Sequence, residues 1–309
     1  MRTVLLHVLF LLITLSVMAI YLYAGNPDSN IILRVRLPGL LLTVLTGVSL
    51  AGIGSVYQMM LNNPLAEPYI LGISSGAALG SVIFAVLGLT ILMPLGGFSG
   101  AMLTMLVVWT IAQHRGRFDR TRLLLSGIIA GMFFSAAISL IMYLFHKDTL
   151  LILGVLMGNL GRIFTYGEWY TFLGLGVLGV LLLADLYRRS LTLDIMSQGD
   201  MYAASVGIRV HRVRREIFVV SSLLLGIIVS YAGIIGFVGL IIPHIVRRIF
   251  PSGQRQIYLY SLWAGGTFLL LSALIARHLT VLELPVGVVT AFIGCPFFVL
   301  ILLRRHKTG

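Results

Sequence analysis

The segment RRSLTLDIMSQGDMYAASVGIRVHRVRRE, Arg188–Glu216, decides how the rest of the chain is read. It is the one long polar interval in a 309-residue sequence that is 59% hydrophobic, with a mean hydropathy of +1.03. Long apolar stretches flank it on both sides. An arginine at the centre of a bilayer costs roughly 2.5–3.5 kcal/mol even on insertion-based scales, so this arginine-rich segment lies at a water interface. Ser197, followed three residues later by Asp200, has the form of a capping box with the shorter acid. Gly207 supplies a left-handed stop. A short helix from about Gln198 to Val206 is therefore expected, lying along one membrane face.

The apolar stretches on either side are long enough for about ten spans, with little left for a soluble domain, so residues 1–309 read as a single transmembrane domain. Val4–Tyr23 is a first span, too long and uninterrupted for a signal-peptide core. Arg34, Arg36 and Pro38 open a second, which NNPLAEP at Asn62–Pro68 closes, because Pro64 and Pro68 forbid a continuous helix there. A third begins near Tyr69 with Gly72, Gly76 and Gly80 on one face, a spacing that lets another backbone approach closely. A fourth ends at the basic run His114–Arg122, and a fifth ends before His146, Lys147 and Asp148. Leu150–Leu160 is too short to cross and reads as a re-entrant or interfacial helix. The sixth span is Tyr166–Tyr187 and the seventh ends near Tyr231. An eighth holds Pro243 and His244 and stops at Arg247 and Arg248. Ile257–Ala276 and Leu284–Leu303 complete the set.

The formal charge of +12 is spread in short runs between spans, the pattern of the positive-inside bias and not of nucleic-acid binding. With both termini cytoplasmic, 17 of the 22 basic residues fall inside, against Arg34, Arg36, Lys147, Arg162 and Arg277 outside. That places Arg188–Glu216 in the cytoplasm. All ten acidic residues fall near span ends or in loops, so no proton relay is expected. The two lysines, Lys147 and Lys307, each follow a histidine, so no Walker loop is present. Gly72-Ile-Ser-Ser-Gly76 matches a nucleophile-elbow string, but small residues in a span serve helix contact. No catalytic residue survives, the scattered histidines offer no metal site, and Cys295 reads as a packing residue. A secondary carrier or channel, or an intramembrane hydrolase using Ser74 or Ser75, are the alternatives to an externally energised transporter.

Five motifs then converge: RLPG at Arg36–Gly39, NPLAEPYILGISSGAALG at Asn63–Gly80, QGDMYAASVGI at Gln198–Ile208, GFVGLIIPHIVR at Gly236–Arg247 and ELPVGVVTAFIGCPFF at Glu283–Phe298. Together they resemble the FecCD-type permeases, the binding-protein-dependent importers of iron siderophores, haem and cobalamin, from about Arg34 to Leu303. The resemblance implies an all-α fold of ten transmembrane helices, of the vitamin B12 and siderophore importer type, in the bacterial inner membrane. It implies a homodimer or closely related heterodimer, two ATPase subunits that hold ATP and magnesium, and a periplasmic or lipid-anchored binding protein. Ser197, Gly199, Asp200, Ala203 and Gly207 would then form the ATPase-coupling segment within residues 188–216, and no cofactor would be held by this chain. Arg36 and Arg277 match arginines that dock the binding protein, with Arg34 available nearby. Pro64, Pro68, Pro243 and the three spaced glycines would serve packing and gating. Two positions depart from the pattern: Gly39 replaces the second arginine of RLPR, and Leu274 replaces an acid three residues before Arg277.

Overall fold

Helix boundaries in this chain fall at prolines, positive-φ glycines and side-chain caps. The computed structural model describes residues 2–69, 71–114, 117–146, 149–250, 252–279 and 283–305. Arg115, Lys147, Asp148, His306 and Lys307 lie outside the described residues. Twelve helices follow in order: α1 Arg2–Tyr23, α2 Ser29–Met60, α3 Ile73–Val86, α4 Met93–Ala112, α5 Arg120–Leu144, α6 Thr149–Met157, α7 Tyr166–Ser197, α8 Asp200–Ser205, α9 Val210–Ala232, α10 Val238–Ile249, α11 Gln254–His278 and α12 Val286–Arg305. A two-rung antiparallel hairpin, Gln113–His114 with Arg117–Phe118, joins α4 to α5.

Among the described residues, six helices are long and apolar enough to cross a membrane. Three shorter apolar stretches, His7–Tyr23, Ile73–Val86 and Val286–Val299, and α10, of 12 residues, accompany them. The sequence expectation of about ten spans resolves into these. Its boundaries shift where capping chemistry overrides hydropathy. The second span starts at Ser29, because the Asp28 carboxylate accepts the Ser29 N–H at 2.8 Å. A π-helical turn, Ile32–Arg36, follows; Pro38 lacks an N–H and crowds the carbonyl four residues back, which the wider turn accommodates. The third helix starts at Ile73 and not at Tyr69, after Gly72 with φ +70°. The largest correction concerns the sixth span, which continues through Arg188 to Ser197 as one 32-residue helix. The polar segment is thus not a separate loop but the end of that helix, a short α8, and the start of α9.

Burial separates the centre from the rim. In α2 and α9, 78% and 72% of the most apolar window is buried, against 17% in α5 and 22% in α7, so α5 and α7 present apolar side chains outward. The centre is assembled by backbone approach at glycines. A Cβ on Gly47 of α2 would lie 2.4 Å from the Gly265 carbonyl of α11, and one on Gly54 would lie 2.0 Å from the Gly239 carbonyl of α10. Gly76 and Gly80 of α3 lie against α4, at Thr104 and Gly96, while Gly72 faces the Gly127 carbonyl of α5.

Gly54→Val is expected to cost about 1–3 kcal/mol or more, since neither backbone can retreat. Gly174→Ala, at a site with nothing within 4 Å of the new methyl, should be neutral or slightly stabilising. Unfolding midpoints of the two variants in detergent, beside the parent, measure the contrast.

Candidate functional site

Three chain breaks meet around one cavity. Helix α6 stops at Gly158 (φ +73°) and α9 stops at Gly233 (φ +72°), while α12 starts at Val286 after the non-helical Glu283–Pro285. A helix end in hydrocarbon leaves N–H and C=O groups that must find partners within the protein. Here the breaks satisfy one another: Asn159 N donates to Ala232 O at 3.0 Å, Ile234 N to Val155 O at 2.8 Å, and Val286 N to Gly158 O at 3.0 Å. The approach requires glycine at Gly287, where a Cβ would lie 2.4 Å from the Met157 carbonyl.

The cavity beside this junction has a volume of about 730 Å³ and is lined mainly by apolar groups, among them Met157, Ile234, Phe292 and Pro296. Cys295 also lines it and is exposed, which corrects the expectation of a packed cysteine. Glu67 is the one carboxylic acid among the described residues of the lining. Only 8% of this residue is exposed, and its carboxylate accepts the Phe237 N–H at 2.6 Å. It caps α10, where a negative charge opposes the positive end of the helix dipole. Phe237 itself is held at φ +69°, a left-handed conformation that costs roughly 1–2 kcal/mol outside glycine. Gly294 of α12 makes the space for its ring: a Cβ there would come within 2.3 Å of Phe237 Cγ.

Two of the acids near span ends are nonetheless buried. Glu67 is buried at the cavity, and Glu168 is 8% exposed, bound to Arg162 at 2.5 Å and closing a capping box with Thr165 at the start of α7. The Pro64 and Pro68 pair, which keeps the chain non-helical after α2, delivers Glu67 to this place.

At the other functional element, α8 starts after Gly199 at φ +122° and is followed by Gly207 at φ +87°. Ser197 is not its cap. That residue ends α7, and its hydroxyl donates to the Asp194 carbonyl at 2.6 Å, because α7 continues to this point and leaves Gly199 as the first residue free to turn. Asp200 is instead tied to α9: Arg214, 3% exposed at its side chain, donates Nη1 and Nη2 to its two oxygens at 2.9 and 2.7 Å. Ala203 is fully buried beneath the helix, whereas Met201, Tyr202 and Val206 are 86%, 55% and 53% exposed. Exposed apolar side chains on a helix pinned by a bidentate ion pair present a pre-organised contact surface. Arg189 braces the base, joining Asp185 on its own helix at 2.7 Å to Glu216 on α9. Sequence reasoning missed Arg214, because one arginine of the VRR run cannot be told from its neighbour without the helix phase.

At the opposite end, Arg36 donates to the Tyr21 and Leu22 carbonyls, each at 3.2 Å, which neutralises the C-terminus of α1. Arg277 pairs with Glu283 at 3.1 Å and lies over the Tyr21 ring at 4.8 Å; Arg34 is exposed. Both sequence departures have a local cause. A Cβ on Gly39 would meet the Tyr21 hydroxyl at 2.9 Å, so a larger residue there requires the tyrosine to shift. The acid missing at Leu274 is supplied from Glu283. Pro243 is buried within α10. Ser74 is buried, and no group of three or more metal-ligating His, Cys, Asp or Glu side chains occurs among the described residues.

Interrupted helices around an apolar cavity, with a pinned polar hairpin at one end and anchored arginines at the other, define a multi-pass membrane permease. A family model described as the FecCD transport family matches residues 2–304, and the chain belongs to that family. It is 36% identical to the vitamin B12 import system permease protein BtuC of Vibrio vulnificus (strain CMCP6), over 99% of this chain and 95% of that one. It is 33% identical to the hemin transport system permease protein HmuU of Yersinia pestis, over 90% of this chain and 84% of that one. A solved ABC transporter assigned to the metal-chelate type, in an inward-facing conformation, superposes with a TM-score of 0.86 at 26% identity, covering 98% of this chain and 100% of that one.

Removing either side of the Asp200 ion pair should have unequal effects. Asp200→Ala leaves a buried guanidinium without its carboxylate and is expected to lower stability by about 1–3 kcal/mol, whereas Arg214→Met removes charge and burial cost together and should lower it less. In both variants hydrogen exchange at residues 200–206 should quicken at least tenfold, with the α7 amides before Arg188 unchanged.

Proposed function

We propose that this chain is the permease subunit of an ATP-driven importer that moves an iron chelate, a siderophore or haem, or cobalamin, from a binding protein into the cytoplasm. The observation that carries the reading is the α8 hairpin, fixed by Asp200–Arg214 at the end away from Arg277 with its apolar ridge uncovered. That is the surface an ATPase partner would grip, through Asp200, Ala203 and the Gly199 and Gly207 turns. ATP and magnesium would be held by two such partners and no cofactor by this chain. The cavity, about 730 Å³ with mostly apolar walls, suits a bulky cargo held by shape, and facing copies of the chain in a homodimer would enlarge it.

In this reading the protein lies in the bacterial cytoplasmic membrane with both termini and α8 inside, as the distribution of basic residues favours. Arg36, Arg34 and Arg277 face out toward the binding protein. As partly exposed charges they would set orientation and association rate more than affinity.

Reconstituted with its ATPase and a chelate-loaded binding protein, the chain is expected to support ATP turnover stimulated several-fold over the unloaded state. Asp200→Arg should abolish the stimulation. Uptake that proceeds without any ATPase, on an ion gradient alone, would show a secondary carrier instead. Orientation is checked separately: a cysteine at Arg212 should react with a membrane-impermeant thiol reagent only in inverted vesicles, and one at Arg277 only in right-side-out cells.

A further inference from the structure

A buried polar node lies between the hairpin and the cavity and belongs to neither. Gln254, the first residue of α11, is fully buried. Its backbone N–H donates to Asp194 Oδ1 in the last turn of α7 at 2.8 Å. Its side-chain Nε2 donates to the Ser55 carbonyl and hydroxyl of α2, both at 3.0 Å. The same Ser55 carbonyl accepts Arg247 Nη2 of α10 at 3.0 Å, and Arg247 Nη1 donates to Gln58 Oε1. Gln58 Nε2 returns to the first turn of α10, at the Gly239 and Leu240 carbonyls, 3.1 and 3.0 Å away. Four helices, α7, α11, α2 and α10, are joined through five side chains.

Packing alone does not call for this arrangement. Apolar residues of similar volume in place of a buried ionic group are often neutral or stabilising, and amides cost free energy when buried unless bonded. One acceptor, Gln254 Oε1, has no partner among the described residues. Gln254 and Arg247 share the Ser55 carbonyl, which puts this spare acceptor on the same side of the node as the guanidinium. A second arrangement, with Arg247 on Gln254 in place of Gln58, would give the node the two states through which an element can couple distant sites.

We infer that this node is the joint by which displacement of the α8 hairpin reaches α10 and, through the Phe237 cap on Glu67, the cavity wall, with Arg247 exchanging Gln58 for Gln254 as the helices shift. Gln254 and Arg247 are positioning residues. This inference rests on the proposed function. Asp194 sits six residues before Asp200 on the helix that runs into the hairpin, so a push on α8 arrives first at the α11 N-terminus. Gln58 clamps α10 within the turn that Glu67 caps, so the same push ends beside the cargo.

The test compares the complete complex in proteoliposomes, parent against Gln254→Met, reading molecules taken up per ATP hydrolysed. The cargo is a ferric siderophore, haemin or cyanocobalamin, whichever the partner binding protein retains. Gln254→Met keeps volume and removes both the donors and the spare acceptor. It is expected to lower the uptake-to-ATP ratio at least tenfold while ATP turnover without cargo stays within about twofold. A merely structural role would lower uptake and turnover together and leave the ratio unchanged, which overturns the inference. Should Gln254→Met fail to assemble, Arg247→Lys decides: it keeps charge but lacks the planar two-nitrogen fork that spans the Ser55 carbonyl and Gln58, and the ratio should fall at least threefold, an unchanged ratio again overturning the joint. A parent complex that hydrolyses ATP without moving cargo would sink the proposed function itself; a working parent beside an unaltered variant sinks the joint alone.

Discussion

Backbone hydrogen bonding without water is the constraint on which the structure depends. A helix can cross hydrocarbon because every interior N–H and C=O is used within it, and any interruption exposes groups worth several kcal/mol each. This chain interrupts its helices near Gly158, Gly233 and Pro285 and brings the three breaks together, so that Val155, Gly158 and Ala232 supply the carbonyls that Ile234, Val286 and Asn159 need. The cavity exists because of that mutual repair: side chains that would have continued the helices instead line an open space. Glu67 completes the repair for α10, whose first N–H groups would otherwise point at apolar neighbours.

The remaining stability comes from how closely helix backbones approach. Lipid offers no hydrophobic drive between spans, so contact and hydrogen bonding must do the holding. Glycines at Gly47, Gly54, Gly80 and Gly287 meet carbonyl oxygens of the facing chain. Between these rigid contacts lie the polar ties, Arg214 to Asp200 and Arg189 to Glu216, at the hairpin end. Close backbone contact makes the centre stiff, and partly buried ion pairs hold the hairpin against α7 and α9.

Hydropathy made the number and class of helices legible, since long apolar runs permit little else. Prolines and glycines marked most breaks. What stayed hidden was the continuation of α7 beyond Tyr187. Arginines at Arg188 and Arg189 read as the end of a span because hydropathy registers their charge, whereas the helix goes on because Asp185 and Glu216 hold Arg189 and nothing in the backbone stops it before Gly199. The same limit hid the true cap of α8: Ser197 has the right chemistry, but a residue already inside a helix bonds back to its own turn. The position of Glu67 near a span end was legible, but its burial was not, because the turn between two prolines folds inward, a tertiary fact with no local signature. Pairings such as Arg277 with Glu283 became visible only once the end of α11 and the start of α12 were placed side by side.

The length of α7 ties these elements into one mechanical picture. At 1.5 Å per residue its 32 residues extend about 48 Å, while the hydrocarbon core is about 30 Å thick. Well over a turn of the helix must therefore stand beyond the apolar layer, and its polar last turns are those that lead to Asp200. A helix that emerges intact moves as a rod, so a load that reaches its last turn, which two residues separate from α8, would on the proposed reading be carried into the bilayer. The cavity wall is built differently, from glycine turns, a left-handed phenylalanine and a carboxylate cap, each held by close contact: Gly287 lies against the Met157 carbonyl and Gly294 against the Phe237 ring.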